Sequence, residues 1–283
     1  MTAEKAWLAP DGSELDLEDR GLTYDIRTLV NRRNALGLFG GMSVLTLLAA
    51  CGMTETPAAA GSTSPGATST GNGSTDLTEV PDETGGPYPG DGSNGVNVLD
   101  DSGMVRADIR SSFGTSTVTA VGIPLTIVLT VRDVSTGDAL TGGAVYVWQC
   151  DRDGNYSLYS NGLENVDYLR GVQQIGADGS VTFTSIFPGC YPGRWPHIHF
   201  EVYSDLATAI ASGPIVKTSQ IALPNETCHT VYATPGYEKS VQTLAQVSLA
   251  SDMVFGDDQG IHQLATMTGS VSSGYTAALT IGV

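Results

Sequence analysis

The sequence predicts an all-β fold, an antiparallel β-sandwich that follows a signal peptide and a disordered linker. Three observations lead there. Short segments rich in β-branched and aromatic residues recur from about Val118 onward, and turn pairs built on Gly, Asp and Pro separate them. No segment of comparable length keeps a 3.6-residue apolar period. The third is composition: 283 residues with 35 Gly, 41% hydrophobic and only 15% charged, enough apolar material for one core with part of the chain left outside it.

Residues 1–50 read as an address. Arg32-Arg33 precedes an apolar run of about 15 residues that ends in Leu48-Ala49-Ala50-Cys51. A bilayer span needs about 20 apolar residues, so the run has the length of a signal-peptide apolar region. The arginine pair resembles a twin-arginine export signal, and Leu-Ala-Ala-Cys resembles a bacterial lipobox, whose cleavage leaves Cys51 as a lipidated N-terminus. The expected location is the outer face of the bacterial cytoplasmic membrane or the extracellular space.

Residues 51–79 form the expected linker. From Pro57 to Thr75 only Asn72 departs from Pro, Ala, Gly, Ser and Thr, a composition with nothing to bury against the entropy of ordering. The body, residues 80–283, is acidic. The whole chain carries 13 Lys+Arg against 30 Asp+Glu, net −17, and cleavage before Cys51 would leave 8 basic and 23 acidic residues. Such a surface lacks the cations that displace counterions from phosphates, which excludes nucleic acid as a partner. An anionic membrane also repels it, so contact with the membrane is expected through the lipid anchor alone.

Within the body, strands are expected over 125–131, 144–148, 181–186, 197–202 and 215–223, with more between Gln263 and Gly282 that would close an edge. The oligomeric state stays open, because both edges and faces of a sandwich can pair. With Cys51 lipidated, Cys150, Cys190 and Cys228 remain. One disulfide with one thiol, or three buried thiols, both satisfy that count.

Chemistry concentrates in Arg194-Trp195-Pro196-His197-Ile198-His199. Side chains alternate along a strand, so His197 and His199 share one face and bring two imidazoles together, a pattern that copper, zinc and iron sites all use. The other histidines, His229 and His262, lie in distant segments. Tyr191 lies just upstream in a turn-rich stretch, and Tyr156 sits in the turn after the strand ending at Trp148. Two phenolates, two neutral imidazoles and a hydroxide would balance the charge of ferric iron.

These residues resemble the intradiol ring-cleavage dioxygenases, the family of catechol 1,2-dioxygenases and protocatechuate 3,4-dioxygenases. The matching segments are Val147-Trp148, Asp153-Gly154-Asn155-Tyr156-Ser157, Leu169-Arg170-Gly171, Asp178-Gly179, Tyr191-Pro192-Gly193-Arg194 and His197-Ile198-His199. Gly86-Pro87-Tyr88 and Val105-Arg106-Ala107-Asp108-Ile109 resemble the segment that opens the family's catalytic domain, and the likeness spans roughly residues 80 to 225.

The resemblance implies Tyr156, Tyr191, His197 and His199 as ligands of a non-haem Fe(III), with a hydroxide completing the shell. It implies a catechol-type substrate and dioxygen as partners, cis,cis-muconate-type products, and Tyr191 as the tyrosinate that substrate displaces. Arg194 would stabilise negative charge on the ring, and Gln220 would steady ligands or oxygen intermediates from behind. The chain departs from the family at Gln149-Cys150, after the strand tryptophan, and at Cys190 before Tyr191, either of which would reshape the pocket. The body is poor in cations, which favours neutral, alkyl- or hydroxy-substituted catechols over carboxylated ones. A non-catalytic β-sandwich that binds sugars or aromatics at the cell surface is the competing reading, and a copper or zinc His-x-His enzyme is a third.

Overall fold

The computed structural model describes residues 77–283. The expected signal peptide, Cys51 and nearly all of the expected linker lie outside the described residues. Eight strands form two four-stranded sheets: β1 (Pro124–Arg132), β2 (Ala144–Trp148), β3 (Arg170–Gln174), β4 (Ser180–Ile186), β5 (His197–Tyr203), β6 (Ile215–Ala222), β7 (Thr266–Ser270) and β8 (Gly274–Gly282). One sheet has the order β4-β1-β8-β7 and the other β3-β2-β5-β6. Every pairing is antiparallel except β1 with β8.

The alternation of β1 shows why the sheets stack. Leu125, Ile127, Leu129 and Val131 are buried while the threonines between them are half-buried, so β1 turns one apolar face inward. That face meets Val181 and Phe183 of its own sheet, Val145 and Val147 of β2, and Ile198, Phe200 and Val202 of β5 in one core cluster.

β2 and β5 differ in being buried along their whole length. Their second faces lie under the chain of residues 83–113, where Val98, Leu99 and Met104 pack on Ala144, Tyr146, Trp148 and Tyr203. Ile198 and Phe200 therefore face the sandwich core, and His197 and His199 face a second, partly polar layer. Val105 bridges Val172 on β3, and Asp108 bridges Thr184 on β4, which ties this covering segment to both sheets.

The fold is mostly strand, as expected, and the described residues add three short helices: α1 (Leu206–Ile210), α2 (Asn225–Tyr232) and α3 (Glu238–Leu244). At eight residues or fewer they are too short to register as a 3.6-residue period, and tertiary packing holds them, since Cys228, Val231, Tyr232 and Leu244 join the core. The late strands cover the edge of β1 that β4 leaves open. β8 inserts between β1 and β7, and β7 takes the rim.

Candidate metal centre

Two loops and one strand build the site. The first loop starts at Asp151, whose Oδ1 accepts the backbone N–H of Asp153 (2.9 Å) and Asn155 (3.0 Å), while Oδ2 accepts the Tyr168 hydroxyl (2.9 Å). This turn delivers Tyr156, whose N–H donates to Ser160 Oγ at 2.9 Å. Behind it, buried Arg170 donates to Ser157 Oγ and Ser157 O, both at 3.0 Å, which fixes the residue after Tyr156.

The second loop carries Tyr191 and presses on the first. Gly189 N–H donates to Asp151 O at 2.8 Å, and a Cβ on Gly189 would stand 2.6 Å from Arg152 O. Gly154 has φ +88°, and a Cβ there would come within 3.1 Å of Tyr191 Cβ. Only glycine allows the two tyrosine loops to approach this closely.

The strand β5 contributes the imidazoles. Tyr191 Oη lies 3.1 Å from His197 Nε2, the two Nε2 atoms of His197 and His199 are 3.1 Å apart, and Tyr156 Oη is 3.5 Å from Tyr191 Oη. All four predicted ligands thus converge. His197 Nδ1 faces the Trp195 carbonyl, so when Nδ1 carries the proton, Nε2 is left as a bare acceptor aimed into the cluster. His199 stacks on Trp148, and its Nδ1 is buried with no hydrogen-bond partner.

Electrostatics sharpen the picture. Burial, reinforced by Arg194, pushes the His197 imidazole down to about 3, and burial with His197 beside it holds His199 well below its ordinary value. Both are neutral donors at any physiological pH. Burial, with Tyr191 next to it, pushes the Tyr156 phenol well above its ordinary value, so its anion needs a cation in the cluster. Among the described residues, no group of three or more His, Cys, Asp or Glu forms a metal site, and the quartet has only two such residues, completed by two phenols. His229 stands exposed on α2.

With that geometry in hand, comparison with known proteins is decisive for the fold. The intradiol ring-cleavage dioxygenase of Tetranychus urticae superposes with a TM-score of 0.57 over 73% of this chain and 94% of that one, at 24% identity. The chain has the intradiol dioxygenase fold. A second dioxygenase structure matches with a TM-score of 0.53 over 64% of this chain and 87% of that one, also at 24% identity. In sequence, a 94-residue stretch is 44% identical to chlorocatechol 1,2-dioxygenase of Rhodococcus opacus, taking in 26% of this chain and 36% of that relative. The match therefore spans about a third of the curated relative's length. No family model matches the chain.

On this intradiol dioxygenase fold the remaining predicted residues stand beside the quartet. Arg194 is buried, donating through Nε to Asp252 Oδ2 at 3.0 Å and through a terminal nitrogen to Gln220 Oε1 at 2.6 Å. Gln220, opposite His199 on β6, donates to Thr84 O at 2.9 Å and is fully buried, not the rim residue that a glutamine on a late strand usually is. Tyr88 leans on Tyr156 with ring centroids 4.8 Å apart and, like Tyr191, is half-buried.

The departures from the family pattern lie behind the four candidate ligands. Gln149 turns away to bond Ile186 O and Ser185 Oγ, Cys150 and Cys190 sit buried under the tyrosine loops as free thiols, and Cys228 is a free thiol on the buried side of α2. Three buried thiols are thus the arrangement found. Sequence reading missed Asp252 and Glu83. Asp252 is a lone acid 58 residues from Arg194 with no motif around it, and Glu83 precedes the recognised Gly86-Pro87-Tyr88. Glu83 is 5% exposed, and burial, then Asp257, pushes its carboxyl up to about 8 against the pull of Arg194 and Gln263.

Proposed function

We propose that this protein is an intradiol ring-cleavage dioxygenase that uses non-haem Fe(III) and dioxygen to open catechol-type rings to cis,cis-muconate-type products. The observation that carries the reading is the convergence of Tyr156, Tyr191, His197 and His199 on one point. The donor set fits ferric iron. Two hard anionic phenolates suit a trivalent ion, and two imidazoles held neutral by burial leave their lone pairs available. The chemistry the ion would supply when bound is Lewis acidity, which favours the doubly deprotonated, electron-rich form of a catechol that reacts with dioxygen.

The protein's own groups do the rest. Tyr156 is 1% exposed and stays in place, whereas half-buried Tyr191 has room to leave and to take a catechol proton on its phenolate oxygen. Trp195 O orients His197, and the Trp148 indole backs His199 and excludes water. Arg194 offers its guanidinium to negative charge that develops on the ring, and Gln220 holds that guanidinium on one side. Asp252 pairs with Arg194 at 3.0 Å and offsets its charge, which supports neutral, alkyl- or hydroxy-substituted substrates over carboxylated ones. The reading extends to the compartment: export, and anchoring through lipid on Cys51. Metabolic labelling with a fatty acid checks this, and Cys51→Ser is expected to abolish both labelling and membrane retention.

The test of the activity is the visible spectrum of the iron-loaded protein before and after anaerobic catechol. A broad tyrosinate-to-iron band that moves to longer wavelength with catechol is the expected result. A protein that stays colourless after iron reconstitution overturns the dioxygenase reading and favours the binding module, while a colourless protein holding zinc favours the His-x-His alternative.

A further inference from the structure

Between the end of β4 and Tyr191 the chain runs through Phe187, Pro188, Gly189 and Cys190, all of them buried. Buried main-chain groups need hydrogen-bond partners. Gly189 N–H finds one in the Tyr156 turn, but three other groups are met by side chains of one helix pair, α2 and α3. Tyr232, at the end of α2, donates its hydroxyl to Pro188 O at 3.1 Å. Tyr237, just before α3, donates to Phe187 O at 2.8 Å, and Ser240 Oγ accepts the Cys190 N–H at 2.9 Å. All three side chains are buried, and the two tyrosine rings stack with centroids 5.6 Å apart.

The Tyr237 hydroxyl also decides where β4 ends. Pro124 and Ile186 are the last partners in the β1–β4 ladder, so the next pair, Ile123 and Phe187, would exchange two backbone bonds. One of them is made, Phe187 N–H to Ile123 O at 2.8 Å. Into the other the Tyr237 hydroxyl is interposed, accepting Ile123 N–H at 3.0 Å while it donates to Phe187 O. A Cβ on Gly122 would stand 2.7 Å from that oxygen, so glycine leaves the room for it. The wedge parts the chain from β1 where the Tyr191 loop begins.

The other proposed ligands are placed by other means, His197 and His199 by β5 and Tyr156 by the Asp151 turn. We propose that the α2–α3 pair positions Tyr191, with Ser240 as the positioning residue nearest to it, gripping the peptide group one residue upstream. That grip fixes where the Tyr191 backbone stands, and with it the 3.1 Å approach of Tyr191 Oη to His197 Nε2. The proposal rests on the dioxygenase reading in that Tyr191 is taken as an iron ligand.

The experiment measures iron affinity, by competition with a chelator, in wild type, Ser240→Ala, Tyr191→Phe and the double variant, and records resonance Raman spectra of the iron-loaded proteins. Alanine removes the acceptor and strands the Cys190 N–H. Ser240→Ala is expected to bind iron about 10–100-fold more weakly, as loss of a group behind a ligand does. In the Tyr191→Phe background the same change is expected to cost less than about twofold, because a residue that acts through Tyr191 has nothing to add once the phenolate is gone. Of the tyrosinate vibrations, Ser240→Ala should shift the set that Tyr191→Phe abolishes and leave the Tyr156 set in place. An affinity within about twofold of wild type in Ser240→Ala, a full loss that persists in the Tyr191→Phe background, or equal shifts in both sets overturns the proposal.

A second measurement stands apart from iron. The Cys190 amide of the metal-free protein is expected to be protected from solvent exchange and to exchange at least about tenfold faster in Ser240→Ala or, if that variant does not fold, in Tyr232→Phe, which releases Pro188 O. Fast exchange in wild type, or protection unchanged in the variants, overturns the grip on the loop. A protected amide that Ser240→Ala loosens, in a protein that takes up no colour with iron, keeps the hold of the helix pair on the loop and sinks the dioxygenase reading instead.

Discussion

The indole of Trp148 lies flat against the imidazole of His199, with ring centroids 4.8 Å apart and planes 6° from parallel. Trp148 sits directly opposite His199 in the β2–β5 register, and Tyr146 stacks on its other side at 4.9 Å. The tryptophan is fully buried, and its indole N–H has no partner, so the site tolerates one unsatisfied donor to keep a broad flat surface there. Trp148→Ala is expected to cost about 3–5 kcal/mol in chemical denaturation. Trp148→Phe keeps a ring and removes the orphan donor, so it should cost far less stability while still weakening iron binding by about 10–100-fold, measured by competition with a chelator.

Gly189→Ala tests the contact between the tyrosine loops. The added methyl meets backbone atoms of Arg152 at 2.6 and 2.9 Å, with no flexible side chain to yield, so one loop must retreat. The expected outcome is a fall in iron affinity that exceeds any fall in melting temperature, because Tyr191 moves away from His197 while the sandwich core stays intact. Gly137→Ala, with open space around its Cβ position but a φ of +76°, is the control for backbone strain alone.

Glu83 makes stability depend on pH with a definite sign. Its carboxyl is raised from 4.5 to about 8 in the folded chain, so the folded state holds a proton that the unfolded state releases. Its contribution is fully present below about 4.5 and is lost as pH rises toward about 8. Glu83→Gln resembles the protonated form and cannot ionise. Melting curves between pH 4 and 9 are expected to show wild type falling relative to the variant as pH rises, and parallel curves would contradict the assignment.

The thiols give a simple count. Burial pushes Cys150 and Cys228 well above the ordinary range and Cys190 up to about 12, and thiolate is the reactive form. In a Cys51→Ser chain, an aromatic disulfide reagent is expected to label none of the three in the native protein and all three after denaturation. A native-state disulfide would reduce the denatured count to one.

The four proposed ligands were legible in the sequence because the position of each has a local cause: alternation puts His197 and His199 on one face, and turn residues deliver the tyrosines. The strands with continuous β-branched or aromatic runs were legible for the same reason. β3 was not, since Arg170-Gly171-Val172-Gln173-Gln174 buries an arginine and a glycine and offers one large apolar residue. α1, α2 and α3 were missed because their stability comes from what they dock on. Asp252 was invisible because its partner lies across the fold, and its own neighbours Ser251 and Met253 give no pattern.

The parallel pairing of β1 with β8 governs how the chain can be made. β1 finds β4 early, but its other edge belongs to Gly274–Gly282, which leaves the ribosome well after the histidine strand. Until then β1 presents a row of bare amides and carbonyls, the template on which unrelated strands nucleate aggregates. A nascent chain halted before Gly274 would hold every proposed iron ligand and still have one sheet open. The polypeptide is therefore exposed to its neighbours until Gly274–Gly282 has emerged, and a holding chaperone has the most to do in that window.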